Sequence, residues 1–154
     1  MAKICVSLMA PTTPEAIRRM TDLGDRADMF ELRLDAMREC DLGELLRNRR
    51  RPIIVTNRRR DEGGLRDQPE GDRLRLLAEA VKHGADYVDV ELSSLAEFER
   101  LARPPFGETR LIVSFHDTRD MPSTLSEKMR AIDRPSAPHF VSTENPRSFA
   151  GRNQ

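Results

Sequence analysis

The chain has 154 residues, with 26 Lys+Arg balancing 26 Asp+Glu, so its formal net charge is zero. That balance offers no field for nucleic acid or another polyanion, and the length suits a single domain. Charged residues make up 34% of the chain but are interspersed, as on solvated helix faces; Arg58-Arg59-Arg60 is the one basic run. Cys5 and Cys40 fall in different predicted elements with no CxxC or Cys/His spacing, so no metal is expected, and free thiols in a reducing compartment are. Met1-Ala2-Lys3 leads into an apolar run too short for a signal peptide or a spanning helix. A soluble, cytoplasmic chain with no membrane contact is therefore expected.

In chain order, Ile4 to Met9 is a first strand, and Thr13-Pro14 supplies an N-cap followed by proline at the first helical position. Ile17, Met20 and Leu23 form a stripe at helical spacing that Gly24 can end in a left-handed conformation. Met29 to Asp35 is a second strand, a short helix follows around Leu42 to Leu46, and Pro52 to Thr56 is a third strand. Asp72 caps a helix with the stripe Leu74, Leu77, Ala78 and Val81, ending at Gly84. Tyr87 to Leu92 is a fourth strand. Ser94 with Glu97 fits a capping box opening a helix through Phe98 and Leu101. Leu111 to Phe115 is a fifth strand and Ser123 to Ile132 a fifth helix. From Asp133 onward prolines and serines replace periodicity, so 1–132 reads as the folded domain and 133–154 as an irregular or disordered tail.

Regular alternation of apolar strands with amphipathic helices predicts an α/β architecture with a parallel sheet covered on both faces. The informative pattern lies at the strand ends. Ser7 ends the first. Glu31, Arg33 and Asp35 alternate with Phe30, Leu32 and Leu34 in the second, placing ionic and apolar groups on opposite faces. Arg58 and Glu62, before Gly63-Gly64, follow the third; Asp89 and Glu91 share one face of the fourth; Ser114, His116 and Asp117 end the fifth. Singly, each has a bland meaning: a structural ion pair for Glu31 and Arg33, a solvated loop for Arg58, edge charges for Asp89 and Glu91, a structural histidine for His116. Recurrence at equivalent positions of successive strands favours one converging polar site, since buried charges must pair or bind something. In a (β/α)8 barrel such a site forms at the carboxyl ends of the strands.

Asp89-Val90-Glu91-Leu92, then eighteen residues, then Leu111-Ile112-Val113-Ser114-Phe115-His116-Asp117 resembles the signature of type I 3-dehydroquinate dehydratases. Cys5-Val6-Ser7-Leu8-Met9, Glu31-Leu32-Arg33-Leu34-Asp35, Arg58 with Glu62-Gly63-Gly64, and Pro122 agree in order. The resemblance covers about Lys3 to Ile132. Phe115 departs from it, the family usually having a polar or tyrosine side chain there.

The resemblance implies a partial (β/α)8 TIM barrel of about five βα units. It implies a carbon-oxygen lyase of the shikimate pathway, in chorismate and aromatic amino acid biosynthesis, that removes water from 3-dehydroquinate to give 3-dehydroshikimate. The family uses no metal and no cofactor, and a homodimer is the implied assembly. Carried over by position, His116 is the acid–base group, Glu62 orients it and Asp89 stands behind. Ser7, Glu31, Arg33 and Arg58 bind substrate. The family's Schiff-base lysine lies on the sixth strand, two to three dozen residues beyond the histidine. Phe140-Val141-Ser142 falls at that distance without an amine. Of Lys3, Lys82 and Lys128, none fits.

Two rival readings stand beside this one. One is a binding module with a relic pocket, and the other is a truncated or frameshifted product whose native frame ends near Ile132. Five strands cannot close an eight-stranded barrel, which predicts free edges at the first and fifth strands, an uncovered inner face around Val113, and self-association.

Overall fold

The computed structural model describes residues 2–117, the helical positions 127 and 130, and the backbone of 140–143. Ten elements order the described chain: β1 (Cys5–Leu8), α1 (Thr13–Leu23), β2 (Met29–Arg33), α2 (Leu42–Arg47), β3 (Ile53–Thr56), α3 (Glu70–Lys82), β4 (Tyr87–Glu91), α4 (Leu95–Ala102), β5 (Arg110–Phe115) and β6 (Phe140–Thr143). The strands form one sheet in the order β1-β2-β3-β4-β5-β6, every neighbouring pair parallel. Because right-handed crossovers never reverse direction along this order, the helices fall on one face, as in a barrel wall.

Register divides the side chains accordingly. Leu8, Leu32, Val55, Val88 and Leu111 form one row across five strands, each at most 4% exposed. They join α1 residues Ala16 and Met20, α2 residues Leu45 and Leu46, α3 residues Leu74 and Leu77, and Phe98 of α4 in a single core. Phe98 and Phe106 pack with ring centroids 5.6 Å apart. Pleating turns the next row, Arg33, Thr56, Asp89 and Ile112, to the opposite, concave face.

Several boundaries move from the sequence reading. The second strand stops at Arg33 because Leu34–Ala36 turns into a 3-10 helix. Thr12, not Thr13, occupies the N-cap of α1, with Pro14 in its first turn. Pro69 rather than Asp72 precedes α3. Ser94 precedes α4 without a side-chain cap, because its hydroxyl is engaged by Glu70 and Arg73 instead. Most of the fifth helix lies outside the described residues.

Two further differences bear on the sheet. Phe140–Thr143 is a strand inside the segment read as irregular. Three of its four residues are the aromatic and β-branched types that suit a pleated ladder. It pairs along β5, with Ser142 opposite Ser114 and Thr143 opposite Phe115, so β5 is not an edge. Val113 is fully buried in the core rather than uncovered.

At the other side β1 has a strand neighbour only in β2 among the described residues. Cys5 and Ser7 are exposed, and Ile4 and Met9 flank them at 59% and 50% exposure. An uncharged free edge templates pairing with another chain. The 154-residue chain by itself is expected to self-associate with rising concentration in sedimentation velocity; a monomer at every concentration would contradict this.

Candidate active site

The concave face is organised around one guanidinium. Arg58 follows β3 and is only 5% exposed. Its Nη1 donates to Asp89 Oδ1 at 3.2 Å, Glu91 Oε1 at 3.0 Å and Ser114 Oγ at 2.7 Å, and its Nη2 to Asp89 Oδ2 at 3.0 Å. The Ser114 hydroxyl in turn donates to Asp89 Oδ1 at 2.6 Å. Parallel register puts Glu91 beside Ser114, so neighbouring strands bring these groups to one level. Burial pulls the guanidinium down, but Asp89 and Glu91, with Glu31 nearby, lift its pKa above the ordinary value.

Glu91 is shared. Its other oxygen accepts from Arg73 Nη1 at 2.7 Å, and Arg73, on α3, is 2% exposed. Arg73 also donates to the Asn57 carbonyl, to Ser94 Oγ and to both oxygens of Glu70. A salt-bridged guanidinium–carboxylate chain thus runs from a helix into the sheet's concave face.

Asp35 lies in the 3-10 turn after β2 and is 2% exposed. Arg33 grips it with Nε at 2.9 Å and Nη2 at 2.7 Å, a bidentate fork. The backbone N–H groups of Arg58 and Leu65 donate to the same carboxylate at 3.3 and 3.0 Å. Burial raises its pKa, but the Arg33 hydrogen bonds and the two N–H groups outweigh that and leave it lowered. Asp35 therefore stitches β2 to both ends of the loop after β3.

That loop delivers Glu62. A 3-10 turn at Arg60–Glu62 ends at Gly63 with φ of 92°, in the left-handed region that glycine adopts without penalty. A Cβ on Gly64 would lie 2.2 Å from the Arg58 carbonyl oxygen, so only glycine lets the chain pass there. Glu62 Oε2 accepts the His116 backbone N–H at 2.9 Å and sits 3.3 Å from His116 Nδ1. Both side chains are mostly buried, at 12% and 9% exposure.

Of the residues singled out from sequence, His116 and Glu62 meet directly, and Arg58 meets Asp89. Asp89 lies against Arg58 and Ser114. Glu31 and Arg33 are half-buried on the face opposite Phe30 and Leu32, which are 2% and 1% exposed. Glu31 acts through space on Arg33 and Arg58. Ser7 pairs in register with Glu31 but is exposed at the open edge.

Sequence reasoning left Arg73 and Thr56 unassigned. Arg73 has the spacing of an amphipathic helix surface, and no local pattern distinguishes it from Arg75. Thr56 is fully buried, with a hydroxyl that has no partner among the described residues; it reads locally as an ordinary β-branched strand residue. No cluster of potential metal ligands occurs among the described residues, and no described helix is long and apolar enough to cross a membrane.

Parallel strands in consecutive order, helices on one face and charges converging at the strand ends define part of a (β/α)8 barrel with a polar site at its carboxyl face. The chain belongs to the type I 3-dehydroquinase family, whose model matches residues 4–137. A 3-dehydroquinate dehydratase of Desulfotalea psychrophila is 39% identical over 134 residues, 86% of this chain and 58% of that protein. One of Methanothermobacter thermautotrophicus is 39% identical over 127 residues, 79% of this chain and 55% of that protein. The crystal structure of 3-dehydroquinate dehydratase from Geobacillus kaustophilus HTA426 matches with a TM-score of 0.77 at 24% identity. It covers 92% of this chain and 61% of its own, a likeness of fold. The chain therefore spans less than two thirds of the length of these relatives.

Asp35 should dominate the acid sensitivity of this face. Its folded pKa is lowered, as is that of Glu70 through its Arg73 hydrogen bonds. Such carboxylates stabilise the fold above their unfolded pKa values, and the contribution is lost as pH falls through the folded ones. Thermal stability should therefore drop below about pH 4. Asp35→Ala should cost about 3–5 kcal/mol at neutral pH by leaving Arg33 and two N–H groups without their acceptor. Denaturant melts of the variant between pH 3 and 7 check both; an unchanged melt at pH 7 would refute the stitching role.

Proposed function

We propose that the chain carries the proton-transfer and hydroxyl-binding part of a 3-dehydroquinate dehydratase site of the shikimate pathway. The observation that carries this is the contact of Glu62 with both the backbone N–H and Nδ1 of His116. A carboxylate at Nδ1 fixes the ring's orientation and leaves Nε2 to exchange a proton with a substrate. Glu31, partly exposed on the same concave face, supplies an acceptor for substrate hydroxyls, and Arg33 supplies the donors that its fork on Asp35 leaves. Arg58, whose two Nη atoms are held by Asp89, Glu91 and Ser114, brings fixed positive charge to the site.

In the reaction implied by the family, a lysine amine first condenses with the substrate ketone and releases water, giving an imine. His116 then takes the proton from the adjacent carbon, and the electron pair enters the imine as an enamine. When the enamine re-forms the imine, the C–O bond of the β-hydroxyl breaks; the imidazolium proton passes to that oxygen, which leaves as water. Hydrolysis frees the unsaturated ketone and the lysine. Everything after the first step suits residues on this face.

Among the described residues no lysine amine stands at the site. Lys3 precedes β1, Lys82 ends α3, and Lys128 lies outside the described residues. Residues 140–143 of the sixth strand read FVST. The lysine pattern also gives weight to a second reading, a pocket that binds the polyol acid without turning it over.

Incubation of the 154-residue chain with 3-dehydroquinate and borohydride should leave its mass unchanged. Titration calorimetry should detect binding that Arg33→Ala weakens at least tenfold, about 1.4 kcal/mol. A reduced adduct on Lys3, Lys82 or Lys128 would restore the full reaction to this chain. Absence of any binding would count against the proposed site.

A further inference from the structure

We propose that Arg73 of α3 is a positioning residue that, acting through Glu91, sets the aim of Arg58. The inference rests on the proposed function only for the ligand, since the geometry stands by itself. Arg58 faces two carboxylates, Asp89 and Glu91, and is one cation between them. The second oxygen of Glu91 lies buried at the far side, where Arg73 neutralises it at 2.7 Å. Without Arg73 that anion would be half-compensated in a region shielded from water, and Arg58 would be drawn toward it and away from Asp89.

The same pair holds the backbone on either side of Arg58. Arg73 donates to the Asn57 carbonyl, and Glu91 Oε1 accepts the Arg59 N–H at 3.1 Å. With Asp35 on the Arg58 N–H, the three consecutive residues just after β3 are fixed by side chains from the turn after β2, from β4 and from α3. A general structural ion pair would need only one of these contacts. Their bracketing of a single residue, whose side chain ends in the same network, is what makes Arg73 a device for aiming Arg58.

Arg73 must make a forked contact to reach Glu91, Glu70, Ser94 and the Asn57 carbonyl at once. A lysine keeps the charge but cannot do so. Arg73→Lys therefore separates charge from geometry, and Glu91→Gln removes the bridging charge at constant shape. Arg75→Met, on the exposed side of the same helix, controls for helix effects.

The test reads the Arg58 side-chain Nε–Hε resonance, assigned by its loss in Arg58→Lys, together with the Kd for 3-dehydroquinate, well below every melting temperature. Arg73→Lys and Glu91→Gln should each shift or broaden the Arg58 resonance and raise Kd at least tenfold, and Arg75→Met should change neither. An Arg58 resonance left in place by a folded Arg73→Lys would overturn the proposal, whatever happens to the melting temperature. Should Arg73→Lys not fold, Glu91→Gln reads the same bridge, and an unmoved resonance there overturns it equally. If the wild-type chain binds no 3-dehydroquinate, the functional reading fails while the resonance still decides the positioning role. If the resonance moves and Kd in a binding chain does not, the aim of Arg58 is irrelevant to the ligand and the proposal is again overturned.

Discussion

A guanidinium at 5% exposure stays charged, so its burial is tolerable only if anions meet its edges, and around Arg58 the described sheet supplies two. Those two anions create the opposite problem, because a pair of buried carboxylates needs a second cation. Arg73 is that cation, reaching in from α3. The balance of two against two explains why Asp89 and Glu91 sit on successive inward positions of β4. It also explains why Ser114, on the neighbouring strand, turns its hydroxyl between Arg58 and Asp89. Removing any one member leaves a buried charge behind, at a cost of about 3–5 kcal/mol. The concave face is therefore held by charge closure and the convex face by apolar packing.

This arrangement divides the polar residues by exposure. Asp35, Arg58, Asp89, Glu91 and Arg73 are buried and mutually paired, which suits them to fix backbone and orient one another. Arg33, its side chain 13% exposed, is tied to Asp35, while Glu31 stands partly exposed beside them, coupled to the cluster through space rather than by contact. Glu31 retains capacity for a ligand, because it is held by no hydrogen bond among the described residues, whereas Arg33 offers only the donors that its fork on Asp35 leaves. The loop carrying Glu62 belongs to both sets. Its start is clamped by Asp35 and Glu91, its passage at Gly64 is fixed by backbone proximity, and its Glu62 carboxylate is presented to His116.

The alternation in Phe30-Glu31-Leu32-Arg33 was enough to read the two faces of β2, because a period of two admits only one division of side chains. The same logic located the strand-end polar groups, and family resemblance joined Glu62 to His116. Boundaries were less legible. Leu34 and Asp35 continue the strand alternation in sequence, yet the chain turns there so that Asp35 can gather Arg33 and two N–H groups. Ser94 with Glu97 has the form of a capping box, but the hydroxyl is drawn into the Arg73–Glu70 network. Arg73 itself was invisible for a related reason. Its role depends on Glu91, eighteen positions away, and nothing in the helix pattern separates it from the exposed Arg75. Tertiary charge pairing overrides local signals at each of these points.

The sixth strand sharpens what the site contains. Its pairing with β5 continues the parallel sheet beyond the histidine strand, so the register position next to Ser114 and Phe115 is occupied, by Ser142 and Thr143. The described part of β6, residues 140–143, reads FVST and so carries no amine, a matter of residue identity rather than of sheet topology. A hydroxyl-bearing residue cannot condense with a ketone to give an imine, and without that electron sink the carbon acid of the proposed substrate would keep the weak acidity of a simple ketone. For the proposed reaction, the residues described here can orient a polyol and relay a proton. The electrophilic activation needs a lysine that no register position of Phe140–Thr143 provides.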